Sequence, residues 1–181
     1  INAKQAEIRR LEGQELYHRI DVSPKPVVTF VEGFAFGGGA ELALAADAIY
    51  VGPGALFALP ETTRVGIYPG LGGTYRTTRK IGRATAKRLV LTGAAANAKQ
   101  AYEIGLADVP ADKSGELLEK LMARAEQGPI GVEEFRKDFT EAPPQPALPD
   151  STPAFDHDTL AEIEADLEKL AAAGSKTADR D

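Results

Sequence analysis

Two carboxylates and a run of glycines are the residues of this sequence best suited to chemistry. Glu41 comes two residues after the triplet Gly37-Gly38-Gly39, and Glu61 follows 20 residues later, directly after Pro60. Both sit in apolar sequence, where a charge is costly unless it has a task or a partner. The glycines admit two readings. They can serve a tight turn with close backbone packing. They can also open a helix whose bare amides face a ligand: without Cβ atoms the backbone approaches a substrate oxygen closely, and the helix dipole favours negative charge there. Such amides are an oxyanion hole wherever an oxyanion forms beside them. The spacing from Gly33 to Gly39 does not fit the dinucleotide pattern G-x-G-x-x-G, and no Gly-Lys-Ser/Thr follows to make a phosphate loop.

The rest of the composition narrows the chemistry. The 181 residues contain no cysteine, which excludes a thiol nucleophile, a disulfide framework and a cysteine metal site. His18 and His157 each stand alone among helical charges and read as surface residues, so no metal site is expected. A net charge of -6 and a pI near 5.1 argue against a general nucleic-acid binder. Hydrophobic content of 43% and charged content of 27% are ordinary for a soluble domain with one sizeable core. No apolar run reaches the length of a membrane span and no signal peptide opens the chain, so no membrane partner and a cytoplasmic or organelle-matrix location are expected.

The elements that must position these residues can be traced in order. Asn2 to Ile20 reads as a helix with a loose apolar stripe of Ile8, Leu11, Leu16 and Ile20, leaving Arg9, Arg10, Glu12 and Glu15 outside. Ser23-Pro24-Lys25-Pro26 ends it and sets up a strand from Val27 to Val31 that delivers the chain to Gly33. The glycine triplet then turns into a helix that carries Glu41 in its first turn and is closed by Asp47. A carboxylate in a first turn also suits the dipole, so Glu41 has a purely structural reading. Ala48 to Val51 reads as a strand, and a short run from Ala55 to Leu59 leads to Pro60 and Glu61. Glu61 is equally legible as a plain helix-start or loop carboxylate.

Tyr68 to Gly73 form a turn into another helix start, with Tyr68 and Leu71 as pocket walls or core residues. Ala84 to Leu91 reads as a helix stopped by Gly93, and Asn97 caps a helix from Ala98 to Ile104 that Gly105 ends. Leu106 to Val109 reads as a short strand. Two amphipathic helices, Gly115 to Gln127 and Gly131 to Phe139, follow. Residues 143–153 form a proline-rich linker, and residues 154–181 an acidic helix and tail with Leu160, Ile163, Leu167 and Leu170 on one face.

Five stretches together carry a resemblance: KPVVTFVEGFAFGGGAELALAAD, FALPE, VGIYPGLGGTYRTTRKIG, LVLTG and AYEIGLAD. In this order and spacing, from Lys25 to Val109, they resemble the enoyl-CoA hydratase (crotonase) superfamily. The resemblance implies an α/β fold, a crotonase-like spiral of repeated strand-strand-helix units with C-terminal helices, over residues 1–142. It implies catalytic roles for Glu41 and Glu61, gripping one water between them, and for the Gly38 N–H as one of two oxyanion donors. Phe36, Gly37, Tyr68, Gly70 and Leu71 would line the acyl-CoA site. The reaction implied is hydration of an α,β-unsaturated thioester, with no cofactor beyond the coenzyme A of the substrate itself.

Several departures bear on that implication. Family isomerases commonly lose the first acid, whereas this chain keeps both, which favours a hydratase. Related thioester hydrolases usually carry an acid where this chain has Gly70. The loop between Glu61 and Gly66 is one residue longer than usual, which puts the contour of the acyl pocket in question. Nothing between Ile1 and Lys25 matches the family's N-terminal segment, with its second oxyanion amide and its adenine contacts. The chain therefore resembles the C-terminal two-thirds of a crotonase. It is expected to work in a homotrimer or hexamer, with that segment attached or supplied by a separate chain. A non-catalytic assembly subunit of the same fold is the competing reading.

From Thr62 to Tyr102 no acidic residue occurs, and eight basic ones give a charge of +8, leaving -14 for the remainder. A solvated helix face explains such a run, as does attraction of an anionic thioester substrate or of an acidic partner surface.

Overall fold

The computed structural model describes residues 2–140, with side chains as far as Lys137. The linker at 143–153 and the acidic helix at 154–181 expected from the sequence, with His157, lie outside the described residues.

Asn2 starts the first helix, α1 (Ala3–Asp21), by a reciprocal capping box with Gln5. Pro24 and Pro26 then prevent helix, and β-branched and aromatic residues build β1 (Val28–Val31) and β2 (Phe34–Phe36). The glycine turn leads into the short α2 (Gly38–Ala43). The pattern repeats: β3 (Ala48–Val51), β4 (Leu56–Ala58) and then the one-turn α3 (Glu61–Arg64). Equivalent strands of the two units pair in parallel, Val28 opposite Ala48 and Phe34 opposite Leu56. One strand-strand-helix unit is thus paired in parallel with the next.

The remaining elements are α4 (Gly73–Thr92), β5 (Ala96–Asn97, antiparallel to β4), α5 (Ala98–Glu103), α6 (Ala111–Glu126) and α7 (Val132–Thr140). Gly82, at φ 74° and ψ 162°, breaks α4 into two arms, and Gly93 stops it in the left-handed region. Asn97 caps α5 as expected, and the structure adds Gln100 as the reciprocal member of a capping box.

The core explains why the site-bearing turns are held firmly. All four residues of β3 are buried, because a parallel strand covered on both faces needs an unbroken apolar run. Ile49, Val51, Phe57 and Leu59 are essentially inaccessible to water. Each such side chain contributes about 1.5–3 kcal/mol relative to exposure. Glu41 and Glu61 therefore emerge next to the most deeply buried part of the described chain.

Three expectations need correction. The apolar stripe of α1 is not its packing face: Ile8, Leu11 and Leu16 remain about half exposed, and the helix buries no residue fully. Its contacts run instead through Gly13, Gln14, Tyr17 and Asp21. Asp47 does not close α2, which ends four residues earlier. Its carboxylate accepts from the Val27 N–H at 2.9 Å and pairs with Arg136 at 2.6 Å, tying the entry of β1 to α7. Leu106 to Val109 makes only one bridge, Val109 to Tyr50, rather than a strand. Side chains do that work: the Ile49 N–H donates to Asp108 at 2.7 Å and the Val51 N–H to Ser114 at 3.0 Å, so the edge of β3 is satisfied without a further ladder.

Candidate functional site

Gly37 adopts φ 52° and ψ -122°, a conformation open in practice only to glycine, and its N–H donates to the Ala58 carbonyl at 2.9 Å. The chain thereby reverses out of β2 and starts α2 at Gly38. The first N–H groups of a helix have no acceptor within it, and those of Gly38 and Gly39 make no hydrogen bond among the described residues. A Cβ on Gly37 would lie 3.0 Å from Glu61 Oε1, so the missing side chain leaves room for that carboxylate against the turn.

Glu41 is 2% exposed. Its Oε1 accepts two backbone hydrogen bonds, from Leu71 N–H and Gly73 N–H, both at 2.7 Å. Its Oε2 receives none among the described residues. Burial holds the Glu41 carboxyl above the ordinary carboxylate value; the Gly73 and Leu71 donors oppose the rise, the charge of Glu61 adds to it, and the Arg76 guanidinium opposes it. Glu61, half-buried as the first residue of α3, has Oε2 shielded from water with no hydrogen-bond partner among the described residues. Two carboxyls therefore act on each other electrostatically, each with an oxygen to spare, beside a turn with spare N–H donors.

The second glycine turn completes the frame. Gly72, at φ 105°, leads into α4. A Cβ on Gly73 would stand 2.7 Å from Glu41 Cγ and 2.9 Å from Pro69 Cβ, so only glycine lets the carboxylate reach this backbone. Arg76, 8% exposed, donates to the Leu71 carbonyl at 2.8 Å and pairs with Asp21 at 2.8 Å. The acid-free stretch is thus not simply a solvated face. Arg76 braces the site from inside, Lys80 pairs with Asp108, and Arg79 lies over the Tyr75 ring.

Of the residues expected to bind substrate, Gly37 and Leu71 are brought to the carboxylates. The Leu71 side chain lies where Cβ atoms on Gly13 and Gly38 would touch it. The Gly70 carbonyl accepts from Gln14 Nε2 at 2.6 Å. Phe36 is turned to other company: its ring stacks on Phe34 at 5.4 Å and packs with Leu56, Ala58 and Ala95. Tyr68, 65% exposed, lines a cleft of about 290 Å³ with Thr74, Thr78, Val90 and Leu91 of α4 rather than meeting the carboxylates. A wider apolar cleft of about 450 Å³ between β1 and α6 is lined by neither glutamate.

The reading from sequence missed Tyr17, whose hydroxyl donates to the Gly38 carbonyl at 3.0 Å, as well as Gln14, Asp21 and Arg76. The available signal was their spacing. Gln14, Tyr17 and Asp21 fall at three- and four-residue intervals on one polar helix face. No group of three metal-ligating side chains occurs among the described residues, and no helix there is long and apolar enough to cross a membrane.

Comparison with known proteins places this geometry. The sequence profile of the family described as "Enoyl-CoA hydratase/isomerase" matches residues 1–164. The chain is similar to the 2,3-dehydroadipyl-CoA hydratase of Escherichia coli K12, 39% identical over 122 residues, covering 66% of this chain and 48% of that protein. It is 50% identical over 82 residues to the mitochondrial enoyl-CoA hydratase of Pongo abelii, covering 45% of this chain and 28% of that one. Its fold is similar to the crystal structure of an enoyl-CoA hydratase from Bacillus anthracis, with a TM-score of 0.67 and 33% identity over 78% of this chain and 55% of that one. The chain spans about half the length, or less, of these relatives.

Proposed function

Because the chain belongs to the enoyl-CoA hydratase/isomerase family, we propose that it carries the acid–base machinery and one oxyanion donor of an enoyl-CoA hydratase. One observation carries this reading. Among the described residues, two interacting carboxyls each keep an oxygen without a hydrogen-bond partner, beside the Gly38 and Gly39 N–H groups that likewise find none. A scaffold would have no reason to bury a carboxylate in this way.

The substrate is an α,β-unsaturated acyl-CoA thioester whose carbonyl oxygen rests on the Gly38 N–H. A water held between Glu41 and Glu61 attacks the β-carbon and passes one proton to a carboxylate. The double-bond electrons move onto the thioester as an enolate, which the amide stabilises. The paired carboxyl returns a proton to the α-carbon, so the sum is addition of one water. Burial, with the charge of Glu61 adding to it, holds a proton on Glu41 at higher pH than a free carboxyl would, which suits Glu41 to the acid half of the exchange. A second amide from a segment N-terminal to this one, attached or on another chain, completes the hole, and the working particle is a homotrimer or hexamer.

The test is hydration of crotonyl-CoA by the chain joined to its N-terminal segment and by the Glu41→Gln and Glu61→Gln variants of the same protein. Each substitution lowers turnover by at least about a hundredfold with KM little changed. Wild-type turnover in either variant would remove that residue from the mechanism. Retained double-bond migration in Glu41→Gln, with no hydration by the parent chain, would make the protein an isomerase.

A further inference from the structure

We infer that Tyr17 is a positioning residue that makes the glycine turn rigid enough to serve as an oxyanion donor; this rests on the proposed role of the Gly38 N–H. Three successive glycines are the loosest backbone a chain can make, since each has access to conformations closed to other residues. An oxyanion donor is useful only when its direction is set before charge develops. A looseness of this kind needs an external clamp.

The clamp has two jaws. Upstream, the Gly37 N–H is fixed on the Ala58 carbonyl at 2.9 Å, within the rigid β2–β4 ladder. Downstream, the Tyr17 hydroxyl donates to the Gly38 carbonyl at 3.0 Å. The peptide unit bearing the Gly38 N–H lies between these two anchors. Without Tyr17 the downstream side would rest on the single turn of helix that follows.

Tyr17 is itself well held. It lies between Gln14, which donates to the Gly70 carbonyl at 2.6 Å, and Asp21, which pairs with Arg76 at 2.8 Å. These bonds anchor the helix face to the second glycine turn, the one that holds Glu41. Tyr17 therefore registers the oxyanion turn against the acid–base turn across α1. The phenol also senses the site: burial and then the Glu41 charge hold its ionisation above the usual tyrosine value, with Arg76 opposing. The groups facing it are Glu41, Arg76 and the Gly38 carbonyl. Its distance from an ideal Cβ on Gly38 is 3.7 Å, so the hydroxyl is close enough to read that backbone directly.

The experiment compares the full chain with Tyr17→Phe, which keeps the ring and removes only the donor. Two readouts are taken. The first needs no activity: the amide resonances of Gly38 and Gly39 in the 15N-labelled protein. Loss of the donor to the Gly38 carbonyl shifts the Gly39 amide upfield and broadens both glycines, while resonances of the β3 core stay in place. The second is crotonyl-CoA hydration normalised to the stoichiometry of acyl-CoA binding. Turnover falls about 3- to 10-fold, the range for one neutral hydrogen bond, with KM within twofold. A merely structural tyrosine would lower the melting temperature and the binding stoichiometry and leave normalised turnover unchanged. Unmoved glycine amides overturn the inference, as does unchanged turnover in an active parent. Shifted glycine amides in a parent chain without hydratase activity would uphold the clamp and defeat the functional reading alone.

Discussion

The two glycine-rich turns, Gly37 to Gly39 and Gly70 to Gly73, are alike in sequence and opposite in use. Each follows a strand or loop, contains a glycine at positive φ, and opens a helix with bare N–H groups. In the second turn the Leu71 and Gly73 N–H groups are both consumed by Glu41 Oε1. In the first, the Gly37 N–H is tied to Ala58 while those of Gly38 and Gly39 find no acceptor among the described residues, with the Glu61 carboxylate beside Gly37. A glycine turn is therefore not a function in itself. What decides its use is whether the fold brings one of its own carboxylates onto the amides. The turn that is filled becomes a holder for the Glu41 carboxylate, and the turn left empty keeps its amides open.

The largest expected effect comes from breaking the empty turn. Gly38→Pro removes the N–H at the first position of α2, where proline is tolerated by a helix. Hydration of crotonyl-CoA should fall by roughly a hundred- to a thousandfold, the usual cost of one oxyanion donor. The far-ultraviolet circular dichroism should be retained. Gly38→Ala is the control: its Cβ would meet Leu71 and Tyr17 at an ordinary 3.7 Å and the N–H survives. Full activity in a folded Gly38→Pro would take Gly38 out of the hole.

Breaking the filled turn should act first on stability. In Gly73→Ala the new methyl falls under 3.0 Å from Glu41 and from the rigid Pro69 ring. Overpacking of this kind costs about 1–3 kcal/mol, measurable by urea unfolding, and activity drops because Glu41 is displaced. Equal stability of parent and variant would mean that the two backbones are not held as closely as described.

The smallest effect sharpens the comparison rather than breaking it. The Glu41 carboxyl is raised above its ordinary value of 4.5 in the folded protein, chiefly by burial. The folded state then keeps its proton longer than the unfolded state does. The stabilising contribution is complete below about pH 4.5 and is lost as pH rises through the folded pKa. Glu41→Gln lacks this loss. Relative to the variant, the parent should weaken with rising pH by up to about 1.4 kcal/mol per unit of the shift. Parallel stability–pH curves for the two proteins would show that the two backbone donors cancel the burial.

Much of the local structure was legible in the residues because local rules govern it. Asn97 and Gln100 build a capping box that depends only on their spacing, and Gly93 ends α4 because few other residues adopt its conformation. The unbroken apolar run Ala48 to Val51 read as a strand, and its coverage on both faces came from the structure. The glycine triplet, Glu41 and Glu61 stood out for the same reason: small or charged residues set in apolar sequence carry a cost that asks for an explanation.

Other features arise only when distant segments meet. Nothing in the spacing of Leu71 and Gly73 says that their N–H groups hold Glu41, 30 and 32 residues earlier. Tyr17 and Asp21 did not stand out because their partners, Gly38 and Arg76, lie across the fold. Asp108 and Ser114 replace an expected strand because a side-chain oxygen can satisfy an edge N–H as well as a carbonyl can. By itself the sequence determined which residues could do chemistry and which helices and strands carry them. Tertiary structure alone decided which amides stay free, because a hydrogen-bond donor is available to a ligand only if no other part of the chain reaches it first.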